Sequence, residues 1–205
     1  MKHHNGIFIS FEGPEASGKS SQINLLKNYF IKNKLPYTIT REPGGTKLAE
    51  DLRKLILNKN SSINILEEIL ILMTARSDHI NKIIVPNINK GKIVISDRFA
   101  DSTFVYQGFV NKFGIKKTQM LHKILLNNFL PNKTFLFELS TKKIIERLKK
   151  RRNKNKYDKL NIDFHQKVNA GYRKISKSNR FIRINASLSK EIIHKKIIKH
   201  LNLIL

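Results

Sequence analysis

Eight residues constrain this chain more than any others: Gly13-Pro14-Glu15-Ala16-Ser17-Gly18-Lys19-Ser20. They stand directly after the strand-like run Gly6–Glu12 and directly before a helical pattern that begins near residue 18. Glycines in such a loop let the backbone turn successive N–H groups inward, and the helix N-terminus behind them adds its dipole, which makes a cradle for phosphate. The spacing is that of a Walker A loop, in the strand–loop–helix context such a loop requires. Gly13–Ser20 and the adjoining Ser21 are therefore read as the ATP-binding segment, with Lys19 reaching the β- and γ-phosphates and Ser20 offering its hydroxyl to Mg²⁺.

The rest of the chain alternates short β-rich runs with longer helical patterns, as expected of βαβ units around a parallel sheet. Strands are predicted at Gly6–Glu12, Tyr37–Arg41, Lys92–Ser96, Lys133–Leu139 and Arg180–Asn185, and helices at about 18–33, 47–58, 62–82, 117–127, 141–151, 163–176 and 189–202. The fold class that follows is α/β, a three-layer α/β/α P-loop NTPase with a five-stranded parallel sheet, a short basic lid and ligands at the carboxyl ends of the strands. Two segments break the alternation. Ala100–Lys116 is polar, aromatic and punctuated by Gly108 and Gly114, and reads as a long loop of the kind that is usually functional or mobile. Arg151–Asn161 is rich in Arg, Lys and Asn, with little to bury, and reads either as a solvated loop or as a lid over phosphates.

The third strand ends Ile93-Val94-Ile95-Ser96-Asp97, followed by Arg98. An apolar strand closing on a carboxylate beside a phosphate loop is the Walker B arrangement, which assigns Asp97, with Ser20, to Mg²⁺. The second strand runs into Arg41-Glu42-Pro43-Gly44-Gly45-Thr46, a tight turn that presents Arg41 at the ligand edge. Arg41, Arg53, Arg76 and Arg98 stand out because lysine supplies most of the charge, and an arginine fork offers bidentate contact with phosphate that lysine lacks.

Composition narrows the class. With 205 residues, 40% of them hydrophobic, the chain suffices for one packed domain spanning 1–205, including the lid segment 151–161. Cysteine is absent, which excludes disulfides and thiolate metal sites. Met1–Asn5 is polar with strand-like residues following at once, and the most apolar run, Ile63–Met73, is too short to span a bilayer and contains Glu67 and Glu68. A cytoplasmic protein without membrane contact is expected. The net charge of +25 raises a nucleic-acid reading. However, the lysines are scattered among abundant Asn and Ile, all residues of A/T-rich codons, so compositional bias accounts for them; a positive field also speeds the capture of nucleotides.

Phe8–Gln22, Arg41–Thr46, Arg76–His79 and Asp97–Gly108 together resemble the ordered motifs of thymidylate kinases, and Phe164–Tyr172 is similar to the helix that follows the lid in that family. The likeness covers nearly the whole chain. It implies that Glu15 meets the 3′-hydroxyl of dTMP, that Arg53 and Arg98 clamp the acceptor phosphate, and that Arg76 reaches the thymine edge. It implies further that Ser102 and Gln107 line the base pocket, that Tyr106 packs where a ribose 2′-hydroxyl would sit, and that Asp97 lies near the metal. Arg147, Arg151 and Arg152 resemble the lid arginines that, in the bacterial type, stabilise the transferring phosphoryl group when the phosphate loop carries no arginine. A homodimer is implied as well. Leu72 stands where the family usually has a Phe stacking on thymine; Asp158 is followed by Lys159 and Asn161 where Asp-Arg-x-Glu is common; and the lid is shorter before Phe164.

The expected function is phosphorylation of dTMP to dTDP by ATP·Mg²⁺. Lys19, Asp97, Arg98, Arg151 and Arg152 act in catalysis, while Glu15, Arg41, Arg53, Leu72, Arg76, Arg98, Ser102, Tyr106 and Gln107 bind the acceptor. Two alternatives stay open at this level: a kinase of the same fold with another nucleotide or deoxynucleoside acceptor, and a basic nucleic-acid-binding P-loop ATPase.

Overall fold

The structure, a computed structural model, describes residues 6–58, 62–151 and 160–204. Strands β1 (Ile7–Glu12), β2 (Tyr37–Arg41), β3 (Ile93–Asp97), β4 (Lys133–Glu138) and β5 (Phe181–Asn185) form one parallel sheet in the order β2-β3-β1-β4-β5. Each lies within a residue of its predicted span. β1 is central and buried on both faces, so it reads as a nearly continuous apolar run.

Alternation along the strands divides the core. Ile9 and Phe11 of β1, with Phe135 and Phe137 of β4, pack on α1 (Lys19–Lys32), α7 (Thr141–Lys149) and α9 (Lys190–Asn202) through Leu26, Phe30, Ile144, Leu148, Ile193 and Ile197. Phe8 and Val94 point the other way, onto Ile69 and Met73 of α3 (Ile65–His79). On that same side Leu136 meets Val168 and Tyr172 of α8 (Ile162–Ile175). Helices thus cover both faces of the sheet, giving the three-layer α/β/α architecture. α2 (Lys47–Leu57) starts at Thr46, whose hydroxyl accepts from Ala49 N. α3 starts with a reciprocal capping box between Asn64 and Glu67, an arrangement in which the cap alone contributes roughly 1 kcal/mol.

Two expectations are corrected. The helix predicted at 62–82 continues through a π-helical turn, Ile80–Ile84, into α4 (Val85–Asn89). Pro86 is accommodated because the π turn re-registers the hydrogen bonds just before it, so the ring meets a helix start and not an interior. Ala100–Lys116 is not a loop. It winds into α5 (Ala100–Thr103), a π-helical segment Phe104–Val110 and the start of α6 (Ile115–Leu125). Burial of Phe104, Val105 and Tyr106 overrides the polar composition, and Gly108 permits the close approach of α6, since a Cβ there would meet Thr118 Oγ1 at 2.7 Å. No helix among the described residues is long and apolar enough to cross a membrane.

His122 of α6 is fully buried beneath this segment. Its Nε2 donates to Phe129 O at 2.8 Å, while Nδ1 has no partner among the described residues. Burial, reinforced by Arg76, pushes its pKa down to about 4. The unfolded chain, titrating near 6.5, binds the proton first, so stability is lost as pH falls from 6.5 toward 4. We expect a loss on the order of 2–3 kcal/mol between pH 7 and pH 4.5 from this group. His122→Gln, which keeps a donor for Phe129 O, should flatten that limb in urea unfolding at the two pH values. Equal acid sensitivity in both proteins would contradict the assignment.

Candidate active site

The carboxyl ends of β1, β2 and β3 open into a cavity of about 580 Å³. Among the residues lining it are Glu15, Ala16, Ser17, Gly18, Lys19, Ser20 and Ser21 of the phosphate loop, then Arg41, Arg53, Leu72, Arg76, Asp97, Arg98, Ser102, Tyr106, Gln107 and Arg151. Of the remaining predicted site residues, Gly13 and Pro14 meet the cavity's lysine through their carbonyls, while Arg152 lies outside the described residues, as do Asp158 and Lys159.

The loop's backbone explains its glycines. Gly13 has φ +135°, and a Cβ there would meet Phe137 O at 2.5 Å, so only glycine fits against β4. Lys19 Nζ donates to Gly13 O at 2.9 Å and to Pro14 O at 2.8 Å. Burial, then the neighbouring Arg98, lowers its pKa to about 8 against the pull of Asp97 and Glu15. Ser20 Oγ donates to Asp97 Oδ2 at 2.8 Å, which brings together the hydroxyl and carboxylate expected to hold the metal. This all-oxygen pair suits Mg²⁺, a hard cation that binds through one or two carboxylates plus phosphates and water. No cluster of three or more His, Asp or Glu able to hold a metal occurs among the described residues.

Arg98 occupies a left-handed conformation, φ +72°, uncommon for a non-glycine residue. Its Nη1 donates to Gly13 O (3.1 Å), Ser102 Oγ (3.1 Å) and Tyr172 OH (3.2 Å), and its Nη2 to Glu15 Oε1 (2.9 Å). Tyr106 OH also donates to Glu15, 2.7 Å from Oε2. Burial pushes the Glu15 carboxyl up, but Arg98, Lys19 and the Tyr106 hydroxyl outweigh it and hold the pKa below the ordinary value. Behind this pair lies Glu12, fully buried, accepting from Phe99 N, Ser102 Oγ and Tyr172 OH. Its pKa rises to about 7, through burial and then Asp101.

On the far wall Arg76 is buried, with Nε donating to Glu42 Oε2 at 2.7 Å and Nη2 to Thr103 Oγ1 at 2.8 Å. Its guanidinium lies 5.2 Å from the centre of the Phe99 ring. Glu42 also contacts His79 Nδ1 at 3.0 Å, and His79 Nε2 meets Thr40 Oγ1 at 2.7 Å. Burial raises the Glu42 pKa, but Arg76 and His79 prevail and lower it. Leu72 forms part of the apolar wall with Ile56 and Leu57, and Gln107 Nε2 donates to Glu68 at 2.9 Å.

Three further arginines have partners within the chain. The Arg41 fork is bound by Glu50, with Nη2 to Oε2 at 2.9 Å, so it faces a carboxylate of its own chain. Arg53 Nη1 donates to Pro43 O at 2.7 Å. Arg147 bridges Ala16 O and Ala186 O, tying the phosphate loop to the segment after β5. Conversely, Glu12, Glu42, His79, Thr103 and Tyr172 received no role from sequence. An acid at the end of an apolar strand and another inside the Arg-Glu-Pro turn were the available signals, but their partners lie far away along the chain.

Removing one member of a buried ion pair leaves the other charge uncompensated, at a cost of about 3–5 kcal/mol. Glu42→Gln preserves shape and some hydrogen bonding, so a loss near 3 kcal/mol, the lower end of that range, is expected in urea unfolding at pH 7. An unchanged midpoint would mean that Arg76 is held by something other than Glu42.

A family model described as thymidylate kinase matches residues 11–197. A thymidylate kinase of Rickettsia bellii is 40% identical, the alignment covering 99% of each chain. One from Thermoanaerobacter sp. is 38% identical over 94% of this chain and 96% of its own length. The crystal structure of thymidylate kinase from Ehrlichia chaffeensis superimposes with a TM-score of 0.75 at 31% identity, covering 96% of this chain and 99% of that one.

Proposed function

This chain belongs to the thymidylate kinase family and phosphorylates dTMP to dTDP with ATP, and we propose the following division of that work among its residues. The observation that carries it is a single oxygen. Gly13 O accepts from Lys19 Nζ at 2.9 Å and from Arg98 Nη1 at 3.1 Å, so the donor-side and acceptor-side cations meet at one point. Two phosphates bound by these groups lie side by side, as in-line transfer requires.

ATP binds along Gly13–Ser21, its phosphates on the loop amides and Lys19. Ser20 and Asp97 would hold Mg²⁺, which would supply charge neutralisation to the ATP phosphates. Arg98 and Arg53 hold the acceptor phosphate, Glu15 accepts from the 3′-hydroxyl, and Tyr106 closes the space beside C2′. Arg76 has Nε and Nη2 engaged by Glu42 and Thr103, while Nη1, among the described residues, meets only the weakly accepting sulfur of Met73 at 3.8 Å. That third donor is directed to a base carbonyl, with Leu72 and Phe99 against the ring. The acceptor oxygen is already nucleophilic, so alignment and charge stabilisation suffice. Arg151 and Arg152 supply positive charge from the lid.

Leu66 and Leu70 of α3 and Met120 and Ile124 of α6 are exposed on neighbouring helices, each pair spaced to share a helix face. We assign this face to a homodimer contact. The scattered lysines act as a diffuse field for nucleotides, with no role for nucleic acid or membrane, in a cytoplasmic setting.

With ATP·Mg²⁺ and a panel of dTMP, dUMP, dCMP, dGMP and AMP, ADP production should be greatest with dTMP. Folded Lys19→Ala should be almost inactive, because the charge opposite the migrating phosphoryl group is gone. Substantial turnover in that variant, or a preference for a purine acceptor, would overturn the assignment.

Aromatic stacking on a base contributes roughly 1–3 kcal/mol. Since Leu72 already supplies apolar contact, Leu72→Phe should lower the dTMP KM by up to about tenfold. The ATP KM should not move. An unchanged dTMP KM would indicate that the base seats on another apolar group, Phe99 being, with Tyr106, an aromatic that lines the cavity; Phe104 lies in the core.

A further inference from the structure

Glu12 ends β1 immediately before the phosphate loop, is fully buried, and takes no part in the steps above. Its two oxygens have separate tasks. Oε1 accepts from Phe99 N at 2.7 Å, gripping the backbone one residue after Arg98. Oε2 accepts from Ser102 Oγ at 2.7 Å and Tyr172 OH at 2.9 Å, the same two oxygens that lie 3.1 and 3.2 Å from Arg98 Nη1.

A hydroxyl has one proton to give, whereas a guanidinium can only donate. With both protons drawn to Glu12, both hydroxyls present lone pairs to Arg98. Turned the other way, they would oppose its N–H groups. We propose that Glu12 is the positioning residue of the acceptor-phosphate clamp, holding Arg98 by its backbone through Phe99 N and by its guanidinium through Ser102 and Tyr172. The proposal rests on the reading of Arg98 as a ligand of the acceptor phosphate.

A purely structural tie between β1 and α8 would not need a carboxylate. Burial disfavours the charge, and Asp101 from α5 adds repulsion that Arg98 only partly offsets. An ionised group kept in such a place weakens the fold, so its neutral isostere should cost no stability. Stability and acceptor binding are thereby separable.

The test uses the full chain and four variants: Glu12→Gln, Tyr172→Phe, Arg98→Ala and the double variant Glu12→Gln/Arg98→Ala. The readouts are KM and kcat for dTMP and for ATP, with urea unfolding at pH 8. Arg98→Ala should raise the dTMP KM by more than about tenfold, and Glu12→Gln by about five- to tenfold. Under Glu12→Gln the ATP KM should stay within about twofold, well below the tenfold that one lost charged contact can produce, and the unfolding midpoint should be no lower than that of the unsubstituted chain. Tyr172→Phe, which removes one of the two hydroxyls, should shift the dTMP KM in the same direction by less. Glu12→Gln should add nothing once Arg98 is alanine, since no guanidinium remains to be placed.

An unchanged dTMP KM in Glu12→Gln, a parallel rise in the ATP KM, or full additivity in the double variant would each overturn the proposal. If Arg98→Ala leaves the dTMP KM unchanged, the acceptor-site reading fails first and takes this proposal with it. Should Glu12→Gln not fold, Tyr172→Phe decides the matter: no rise in dTMP KM overturns it.

Discussion

The register of β1 against β3 is the constraint on which the site depends. Phe11 lies opposite Asp97, and Arg98 N donates to Phe11 O at 2.9 Å. From that pairing the phosphate loop and the Asp97–Arg98–Phe99 segment leave the sheet side by side. Ser20 thereby reaches Asp97, Arg98 reaches Gly13 O, and Phe99 N reaches Glu12. A slip of one residue would turn Asp97 to the opposite face of the sheet and dissolve all three contacts at once.

The charges at this edge form a compact set of mutually dependent pairs. Glu42 with Arg76 is buried, Glu15 is buried against a partly exposed Arg98, and a third pair, Asp101 with Arg180, ties α5 to the residue before β5. Such pairs contribute little net stability, because desolvation offsets much of the attraction. Their value here is geometric. Each arginine is fixed before a nucleotide arrives, so less conformational entropy is lost when one binds. Most of the +25 net charge lies elsewhere, on scattered lysines, and serves the chain's long-range field without shaping the cavity.

The wall around Arg76 differs in kind from the phosphate-loop side. Arg76 sits in a relay that runs through Glu42 and His79 to Thr40, with Thr103 and the Phe99 ring on its other sides. Leu72 completes this wall with an aliphatic side chain where an aromatic one is usual in the family. The polar part of this wall is thus rigidly built, while its apolar part relies on softer dispersion and burial.

Sequence by itself determined the strands to within a residue, the phosphate loop and the carboxylate that closes β3, and it named many of the side chains that line the cavity, though not Glu42, Glu68 or Thr103. These features are local: alternation of apolar residues, glycines at positive φ, an acid closing a strand. Only the tertiary structure decided how the side chains are used. The segment 100–116 looked like a loop because its polar residues and glycines are adjacent in sequence, yet packing against α6 and α8 buries Phe104 to Gly108 and makes it helical. The pairing of Arg41 with Glu50, one turn into α2, was likewise not written in the turn that presents it. Glu12 read as a strand residue, and its roles appear only when Ser102 and Tyr172 arrive from 90 and 160 residues away. Hydrogen-bond polarity between side chains so distant along the chain has no periodicity to betray it; it exists only once the sheet register and the helices above it have closed.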